Sequence, residues 1–490
     1  MNINVPNVVN AALGDDAKGR NVQILSDNMT GNNRNDPGFL SKDFPRSPPR
    51  LYFTAESEDF DQVTLAEWRD EGFNVGYLPM GDDLDDYRRR LETLSRRGLG
   101  PCETFGIVAY GDAAAFCLEH YHILDNNPEF KLGLLVAYYP TSIPDPGGRF
   151  PSSIRVLVHL TGEDVGVVKH TQMVGIQGKR RMTRRKLDRG IGAGGTLRLA
   201  YPSYKYGVQP GFAEHDLDEY DRVSAELAFS RSLAAARDAF KSYVDLELAL
   251  DQNVQGKFYT RNVRETISTY TTHKESHVTY VPTLTGGIGE PELERFYAQF
   301  FIPGNPPSTK LTLLSRTIGA DRVVDELHLR FRHTAEMPWI LPGVRPTNKR
   351  VEVVVISIVT LRGGKLYHEH VYWDQASVLV QVGLLDPKLV PESVRKDLGV
   401  ERLPVVGKAA SRRVLTSWDG EVEGEADNAL IPGWDDESDD DQQKEVDSTP
   451  DKATKGKEKA EGLTDKKKGT HAGSSSRTQE GGQANESKSQ

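Results

Sequence analysis

The amino-acid sequence predicts two folded domains, a parallel α/β domain followed by an α+β domain, between two polar chain ends. From residue 51 to about residue 240, short apolar strands alternate with helical segments, an order typical of a parallel sheet. From about residue 244 the order reverses, with helices first and long alternating strands after them, which indicates a separate α+β domain. The predicted segments are a mobile lead at 1–48, the two domains at 49–242 and 243–390, an extension at 391–434, and a disordered charged tail at 435–490.

The predicted elements of the first domain follow one another as strand and helix. Apolar runs bounded by glycine and proline predict strands at LYFTAE, NVGYLPMG, TFGIVAYG, KLGLLVAYYP, IRVLVHLTG and TLRLAYP. Helices are predicted at 65–71, 84–97, 113–124 and 221–240. The basic run from Lys179 to Lys186 favours an exposed loop over a nucleic-acid site.

The second domain begins with helices predicted at 246–258, 262–270 and 292–301. Long strands then follow at TKLTLLSRTIG, RVVDELHLRFRH and KRVEVVVISIVTLRGGKLYHEHVYWD. The Arg-Gly-Gly-Lys sequence at 362–365 predicts a β-hairpin turn inside the last of these runs.

Charge and composition exclude several classes of function. The chain has 71 acidic and 61 basic residues, for a net charge of -10, but residues 419–490 alone hold 19 acidic and 10 basic residues. The remaining chain is nearly neutral, which argues against a nucleic-acid partner. Its longest apolar stretches are about half the ~20 residues that a membrane span needs, so no membrane partner is expected.

The expected location is the cytoplasm. The sequence begins without the basic start and apolar run of a secretory signal, and Cys102 and Cys117 are its only cysteines. A nuclear location stays open because three lysines stand together at 466–468.

Three stretches of the first domain resemble the dienelactone hydrolase branch of the α/β-hydrolase family. They read GIVAYGDAAA at 106–115, LVHLTGED at 157–164, and Tyr-Pro at 201–202 followed by Gly-Phe-Ala at 211–213. The resemblance implies that Gly111 stands at the nucleophile position, that Asp164 is the triad acid, and that Pro210 occupies the histidine position. Because glycine and proline supply no nucleophile or base, hydrolysis is not expected, and replacement chemistry by Asp112 or Cys117 is the alternative.

Strand alternation places the polar side chains of the second domain on two faces. His368, His370 and Tyr372 share one face of the last strand, while Tyr367, Glu369, Val371 and Trp373 share the other. Asp374 ends this strand, where it can act as a general acid or base with His370 as its partner. In the strand RVVDELHLRFRH, Asp325 and His333 fall on the apolar face and are the better candidates for polar groups in a pocket. An ion pair or a capping bond at the sheet rim is the alternative for each of them. Further pocket residues are predicted to be Tyr280, Trp339, His368 and Trp373.

The stretch GGKLYHEHVYWDQASVLVQVG at 363–383 resembles the SnoaL-like polyketide cyclases of the nuclear-transport-factor-like superfamily. That resemblance implies a strongly curved, cone-shaped sheet around an apolar pocket, with Asp374 matching the acid of the family. Fungal proteins join the same two halves. A homodimer through the curved sheet is implied as an option, since relatives often pair this way.

The leading functional hypothesis is that the second domain binds a small apolar carbonyl compound and catalyses proton transfer in a cyclisation or isomerisation. The first alternative is a non-catalytic ligand-binding or interaction protein, and the second is a carboxylic ester hydrolase of the dienelactone type. No cofactor is expected. No metal is expected either, because His368 and His370 lack a further ligand at a recognisable spacing.

Overall fold

Two main β-sheets, each formed by its own stretch of chain, organise the molecule. The computed structural model describes residues 48–95, 99–100, 103–173, 176–190, 195–272, 274–416 and 426–434. The predicted mobile lead up to residue 47 and the predicted disordered tail from residue 435 lie outside these residues, as does Cys102.

The first sheet has six parallel strands in the order β2-β1-β3-β4-β6-β9. Their bounds are β1 Arg50–Thr54, β2 Asn74–Tyr77, β3 Phe105–Tyr110, β4 Leu132–Tyr138, β6 Arg155–Leu160 and β9 Ser203–Lys205. The chain adds β2 on one side of β1 and β3 on the other side, so the sheet is doubly wound. Its switch point lies at the carboxyl ends of β1 and β3. A parallel sheet is as predicted, but the strand predicted at TLRLAYP, residues 196–202, is not formed, and the edge strand β9 begins directly after it at Ser203. Membership of the hydrolase fold remains a prediction.

Helices cover both faces of this sheet, as a parallel sheet requires. Helices α2 (Leu84–Leu94) and α3 (Gly111–Tyr121) pack on one face, and α1 (Gln62–Asp70) and α4 (Arg222–Phe240) pack on the other. The first core includes Tyr87 and Leu118, whereas Trp68 and Phe229 meet edge to face in the second. Each predicted helix of this half is therefore present.

A small three-stranded sheet was missed by the sequence analysis. It contains β5 (Ser142–Pro144), β7 (Asp164–Met173) and β8 (Ile176–Lys186), in the order β5-β7-β8. The basic run that was predicted to be a loop belongs to β8, where residues 180–186 are exposed on a hairpin arm. Alternating Lys, Arg and Thr residues carry little apolar signal, which is why the strand was not predicted.

The three predicted helices of the second half are present, but two strands that were not predicted, His277–Tyr280 and Thr285–Ile288, come between the second helix and the third. The helices are α5 (Leu246–Val254), which runs into a π-helical turn at Gln255–Tyr259, then α6 (Val263–Ser268), and α7 (Gly289–Phe296), which runs into a second π-helical turn at Tyr297–Phe301. Leu246, Leu250, Leu293 and Phe296 are buried against the second sheet.

The second sheet has six strands in the order β11-β10-β15-β14-β13-β12. Their bounds are β10 His277–Tyr280, β11 Thr285–Ile288, β12 Lys310–Ile318, β13 Arg322–Arg332, β14 Arg350–Arg362 and β15 Lys365–Trp373. All pairs are antiparallel except β10 with β15, which is parallel and was not predicted. The predicted hairpin turn joins β14 to β15, where Gly363 and Gly364 have φ of +57° and +74°.

Three further helices follow the sheet: α8 (Gln375–Val382), α9 (Glu392–Leu398) and α10 (Ala409–Leu415). Arg412 of α10 contacts Glu352 on β14, so this part of the predicted extension packs on the second sheet. Residues 427–434 belong to a separate unit and form turns. Among the described residues, no helix is both long enough and apolar enough to cross a bilayer.

Helix α4 contacts the second half through a buried set of charged groups. The Arg362 guanidinium donates to the Asp321 carboxylate over 2.7 Å, and the Ser230 hydroxyl on α4 donates to the same Asp321 oxygen over 2.7 Å. Arg237 on α4 binds Glu71, whose other oxygen accepts from the backbone N–H of Gly363. These bonds hold the hairpin turn of the second sheet against the first half.

Replacing Asp321 with alanine should destabilise the protein by about 3–5 kcal/mol, because it leaves the buried Arg362 without its carboxylate partner. Urea unfolding at constant pH measures this change. Asp218→Ala, at an exposed position of the first half, is the matched control and should cost less than about 0.5 kcal/mol. A cost below about 1 kcal/mol for Asp321→Ala would show that the buried pair does not hold this junction.

Candidate functional site

The inner face of the second sheet encloses a narrow apolar cavity. Leu250 and Val254 of α5 close it on one side, and Tyr280, Trp339 and Val371 line it on the other. Its volume is about 40 Å³. This is the volume open to the centre of a water molecule, and one water needs about 10–15 Å³ of it. The cavity therefore holds roughly three waters or a similarly small group.

A buried ion pair faces this cavity. Lys257 lies in the first π-helical turn with 2% of its side chain exposed, and its ammonium group binds the Glu369 carboxylate, of which 7% is exposed. Glu369 is on β15, on the same face as Val371 and Trp373. Two ionised groups removed from water cost several kcal/mol each before their attraction is counted. The pair therefore carries a large desolvation free energy in an apolar cavity.

Two tyrosine hydroxyls extend the ion pair into a hydrogen-bonded chain. Tyr297, the first residue of the second π-helical turn, has its hydroxyl 2.7 Å from that of Tyr270, which donates to Glu369 over 3.0 Å. The Lys257 ammonium also lies 5.3 Å from the centre of the Tyr297 ring. Because π-helical turns occur frequently at functional sites, it is notable that each of the two turns contributes a residue to this chain.

Burial dominates the acid–base behaviour of the chain. Burial lowers the pKa of Lys257 below its ordinary value, against the opposing attraction of Glu369. Burial also raises the pKa values of Tyr270, Tyr280 and Tyr297 well above the usual range, and the nearby Glu369 charge raises them further. The tyrosines are therefore neutral hydrogen-bond donors near pH 7.

Asp325 lines the cavity as predicted, but its carboxylate is fully engaged. The Arg316 guanidinium donates to both Asp325 oxygens, over 2.7 and 2.8 Å, and also binds Glu247 and Asp251 on α5. A carboxylate held bidentate by arginine is a poor proton acceptor. Asp325 is better explained as the residue that anchors β12 and α5 than as a base.

Asp374, the predicted catalytic acid, caps helix α8 and is not among the residues that line the cavity. Its exposed side chain accepts from the backbone N–H groups of Ala376 and Ser377, over 3.0 and 3.2 Å, at the start of α8. The residue that ends a strand and precedes a helix is well placed to cap that helix, and Asp is among the residues preferred there.

His368 and His370 lie on the outer face of the sheet, away from the cavity, so neither is the partner of an acid in the pocket. The alternation predicted from the sequence is correct, but the cavity faces the other set of residues. Glu369, between the two histidines, lines the cavity together with Val371 of the same strand.

The remaining residues that were predicted to line the pocket lie at different depths around the cavity. Tyr280 and Trp339 line the cavity, with ring centres 5.2 Å apart. Trp373 is buried beside Trp339 and donates to Gln375 over 2.6 Å. His333 is fully buried, but its Nδ1 accepts from the backbone N–H of Thr347 in a structural bond at the sheet rim.

Sequence reasoning missed Lys257, Tyr270 and Tyr297 and did not single out Glu369. The signal for Glu369 was available, because a carboxylate alternated with Val371 and Trp373 on an apolar face. Lys257 lies in the last turn of the helix predicted at 246–258, where no periodic pattern singles it out, so only the fold brings it to the pair.

The three positions that the sequence resemblance assigns to a hydrolase site meet in an open groove of about 630 Å³ at the carboxyl edge of the first sheet. Gly111, Asp164 and Pro210 all line it, as their motif positions predict. The turn at Gly111 has φ of +53°, and a side chain there would collide with the carboxylate of Glu56, which accepts from the backbone N–H of Asp112. Glu56 therefore occupies the start of α3, the place where an anionic group would otherwise bind.

Neither of the two replacement residues, Cys117 and Asp112, has the features of an activated nucleophile. Cys117 is fully buried, and burial raises the pKa of its thiol to about 12, so it stays protonated. Asp112 accepts a hydrogen bond from the Thr141 hydroxyl over 2.5 Å. The titratable group that stands out is Glu214, because burial raises the pKa of its carboxyl to about 7, close to physiological pH.

Comparison with known proteins found likeness only among solved structures. No family model matches the chain, and no curated protein matches it. The matching structures include a SnoaL-like polyketide cyclase of Jannaschia sp. (18% identity, 30% of this chain and 99% of that one, TM-score 0.24) and a second one of Shewanella putrefaciens (11% identity, 31% and 94%, TM-score 0.25). A ketosteroid isomerase-like protein of Catenulispora acidiphila matches at 14% identity over 28% and 93% of the two chains, with a TM-score of 0.23. At these values the likeness carries no statement about chemistry.

Replacing Asp374 with alanine should cost about 0.5–2 kcal/mol of stability, because α8 loses the acceptor for its first N–H groups. Chemical denaturation measures the loss, and Asp397→Ala, at an exposed position in the last turn of α9, should leave stability nearly unchanged. A cap role also predicts that Asp374→Asn, which retains the acceptor oxygen, restores most of the loss. If asparagine is as damaging as alanine, the assignment of Asp374 as a cap is wrong.

Proposed function

We propose that the second half is a small acid–base site that moves a proton next to a carbonyl group, as in an isomerisation or cyclisation. The observation that carries the proposal is the buried Lys257–Glu369 pair with its tyrosine hydrogen bonds, facing an otherwise apolar cavity. A carboxylate, an ammonium and neutral hydroxyls together supply the base and the donors that this reaction class needs.

Each residue has a defined role in the proposed reaction. The Glu369 carboxylate takes a proton from the carbon beside the carbonyl, and the electron pair of that C–H bond moves onto the carbonyl oxygen. The Lys257 ammonium stabilises the negative charge that develops on the oxygen. Tyr270, which hydrogen-bonds Glu369, orients the carboxylate. Return of the proton to a different carbon completes an isomerisation without any cofactor.

The cavity volume limits the substrate. Pockets for drug-sized ligands measure roughly 300–1,000 Å³, and this cavity is about 40 Å³. A compound of three or four non-hydrogen atoms fits without movement, whereas a larger one has to displace part of the wall. Phe258 lies in the π-helical turn beside Lys257 and, with Leu311 of β12, lines the side of the cavity next to α5. Because the cavity is this small, we infer that the substrate is a small carbonyl compound.

A non-catalytic role is the second candidate, and the same small volume favours it. A cavity of this size is compatible with an inner core that retains a polar pair and binds nothing. For the first half we propose that the hydrolase-like groove has lost nucleophilic chemistry, because Gly111 has no side chain and Glu56 fills the space in front of it.

Hydrogen–deuterium exchange of small ketones tests the proposal without knowledge of the natural substrate. The full-length protein is incubated in D₂O with acetone, whose four non-hydrogen atoms match the cavity, and NMR follows deuterium incorporation beside the carbonyl. Glu369→Gln should reduce the enzyme-dependent rate by about 10²-fold or more, since that is the usual contribution of a positioned base. Tyr270→Phe should reduce it by about tenfold, because Glu369 loses one hydrogen bond.

Glu326→Gln is the matched control, since Glu326 lies on the outer face of β13 and is half-buried there. Its exchange rate should equal that of the wild-type protein. A wild-type rate no higher than that of buffer would favour the non-catalytic candidate. An unchanged rate in Glu369→Gln would remove Glu369 from the reaction.

A further inference from the structure

Three histidine rings meet on the outer face of the second sheet, opposite the cavity. The parallel pairing of β10 with β15 places His277 directly beside His368, and His370 follows two residues along β15 on the same face. The ring centres of His277 lie 3.9 Å from His368 and 5.1 Å from His370. His277 is distant in sequence, and the unpredicted parallel strand pair brings it to the other two.

The ring nitrogens have the spacing of a metal site. One nitrogen from each ring lies within 4.8 Å of the others, and Nε2 of His277 is 2.9 Å from Nε2 of His370. With metal–nitrogen bonds of about 2.0–2.1 Å, two nitrogens of a tetrahedral ion are roughly 3.4 Å apart. Side-chain shifts of roughly 1–1.5 Å would therefore bring the three nitrogens onto one ion.

We propose that His277, His368 and His370 form a binding site for a divalent transition-metal ion, with Zn²⁺ as the expected ion. Three imidazoles with one position left for water are a known ligand set for zinc, and imidazole also suits copper and nickel. His277 and His370 are half-buried while His368 is 5% exposed, so the fourth position opens toward solvent. This site is separate from the cavity and does not depend on the proposed proton transfer.

The positive charge of Arg222, next to the histidine cluster, opposes the binding of a cation there. One guanidinium nitrogen lies 3.4 Å from Nδ1 and 3.5 Å from Nε2 of His368. The side chain is 58% exposed and its Nε lies 3.3 Å from the Glu226 carboxylate, one turn along α4. Arg222 can therefore turn toward solvent when an ion binds, and it competes with that ion. Removing its charge should strengthen metal binding, which a purely structural histidine cluster does not predict.

Metal titration of the full-length protein, prepared without a polyhistidine tag and stripped with a chelator, tests the site. Calorimetry with Zn²⁺ should give one ion per chain, and Co²⁺ should give the intense visible absorption of a tetrahedral site. His277→Gln and His370→Gln should each weaken binding by at least about tenfold. Arg222→Gln should strengthen it. His328→Gln is the matched control, because His328 lies on the outer face of β13 away from the cluster.

Zn²⁺ protection against chemical modification of histidine keeps the test valid if a variant fails to fold. In the wild-type protein, Zn²⁺ should reduce diethylpyrocarbonate labelling of His277 and His370, as read by mass spectrometry, and leave other histidines unchanged. Binding that survives both His277→Gln and His370→Gln, labelling that Zn²⁺ leaves unchanged at these residues, or no stoichiometric binding at all would overturn the proposal.

Discussion

The buried ion pair between Lys257 and Glu369 is the constraint around which the second half is arranged. The pair requires a strand that faces the cavity, a helical turn that projects a long side chain into it, and hydroxyls that replace lost water. The two π-helical turns and Tyr270 meet these requirements. A pair of apolar residues would fill the same space without desolvation. The presence of charge here is therefore more readily explained by chemistry than by stability.

The first half supplies a second candidate surface and the contact that joins the two halves. Its groove lies where a doubly wound sheet is expected to bind ligands, outside the carboxyl ends of β1 and β3. The carboxylates of Glu56 and Glu214 line this groove together with Gly111, where a hydrolase of the resembled family has its nucleophile. Helix α4 packs on the opposite face of that sheet from α3 and contacts Asp321 of the second half through Ser230. One helix therefore completes the first core and binds the second sheet.

Local pattern predicted the elements far better than the site. The helices, the long strands of the second sheet and the Gly-Gly turn followed from periodicity and turn chemistry, which act over a few residues. The alternation on β15 was also correct, but periodicity alone does not say which face meets the core. Asp374 stands where the strand ends, and the helix that follows uses its carboxylate as a cap. The strand pattern alone does not show this use. Lys257 and His277 depend on pairings distant in sequence, which no local pattern reports.

Stability of the paired variants tests the central claim most directly. Lys257→Met and Glu369→Gln should each lose about 3–5 kcal/mol in chemical denaturation, because each leaves a buried charge alone. The double variant removes both charges and keeps an acceptor for Tyr270, so its stability should return to within about 1 kcal/mol of the wild-type value or exceed it. If instead the double variant is as unstable as the sum of the two single changes, the pair holds the fold together, and the claim that it is retained for chemistry is wrong.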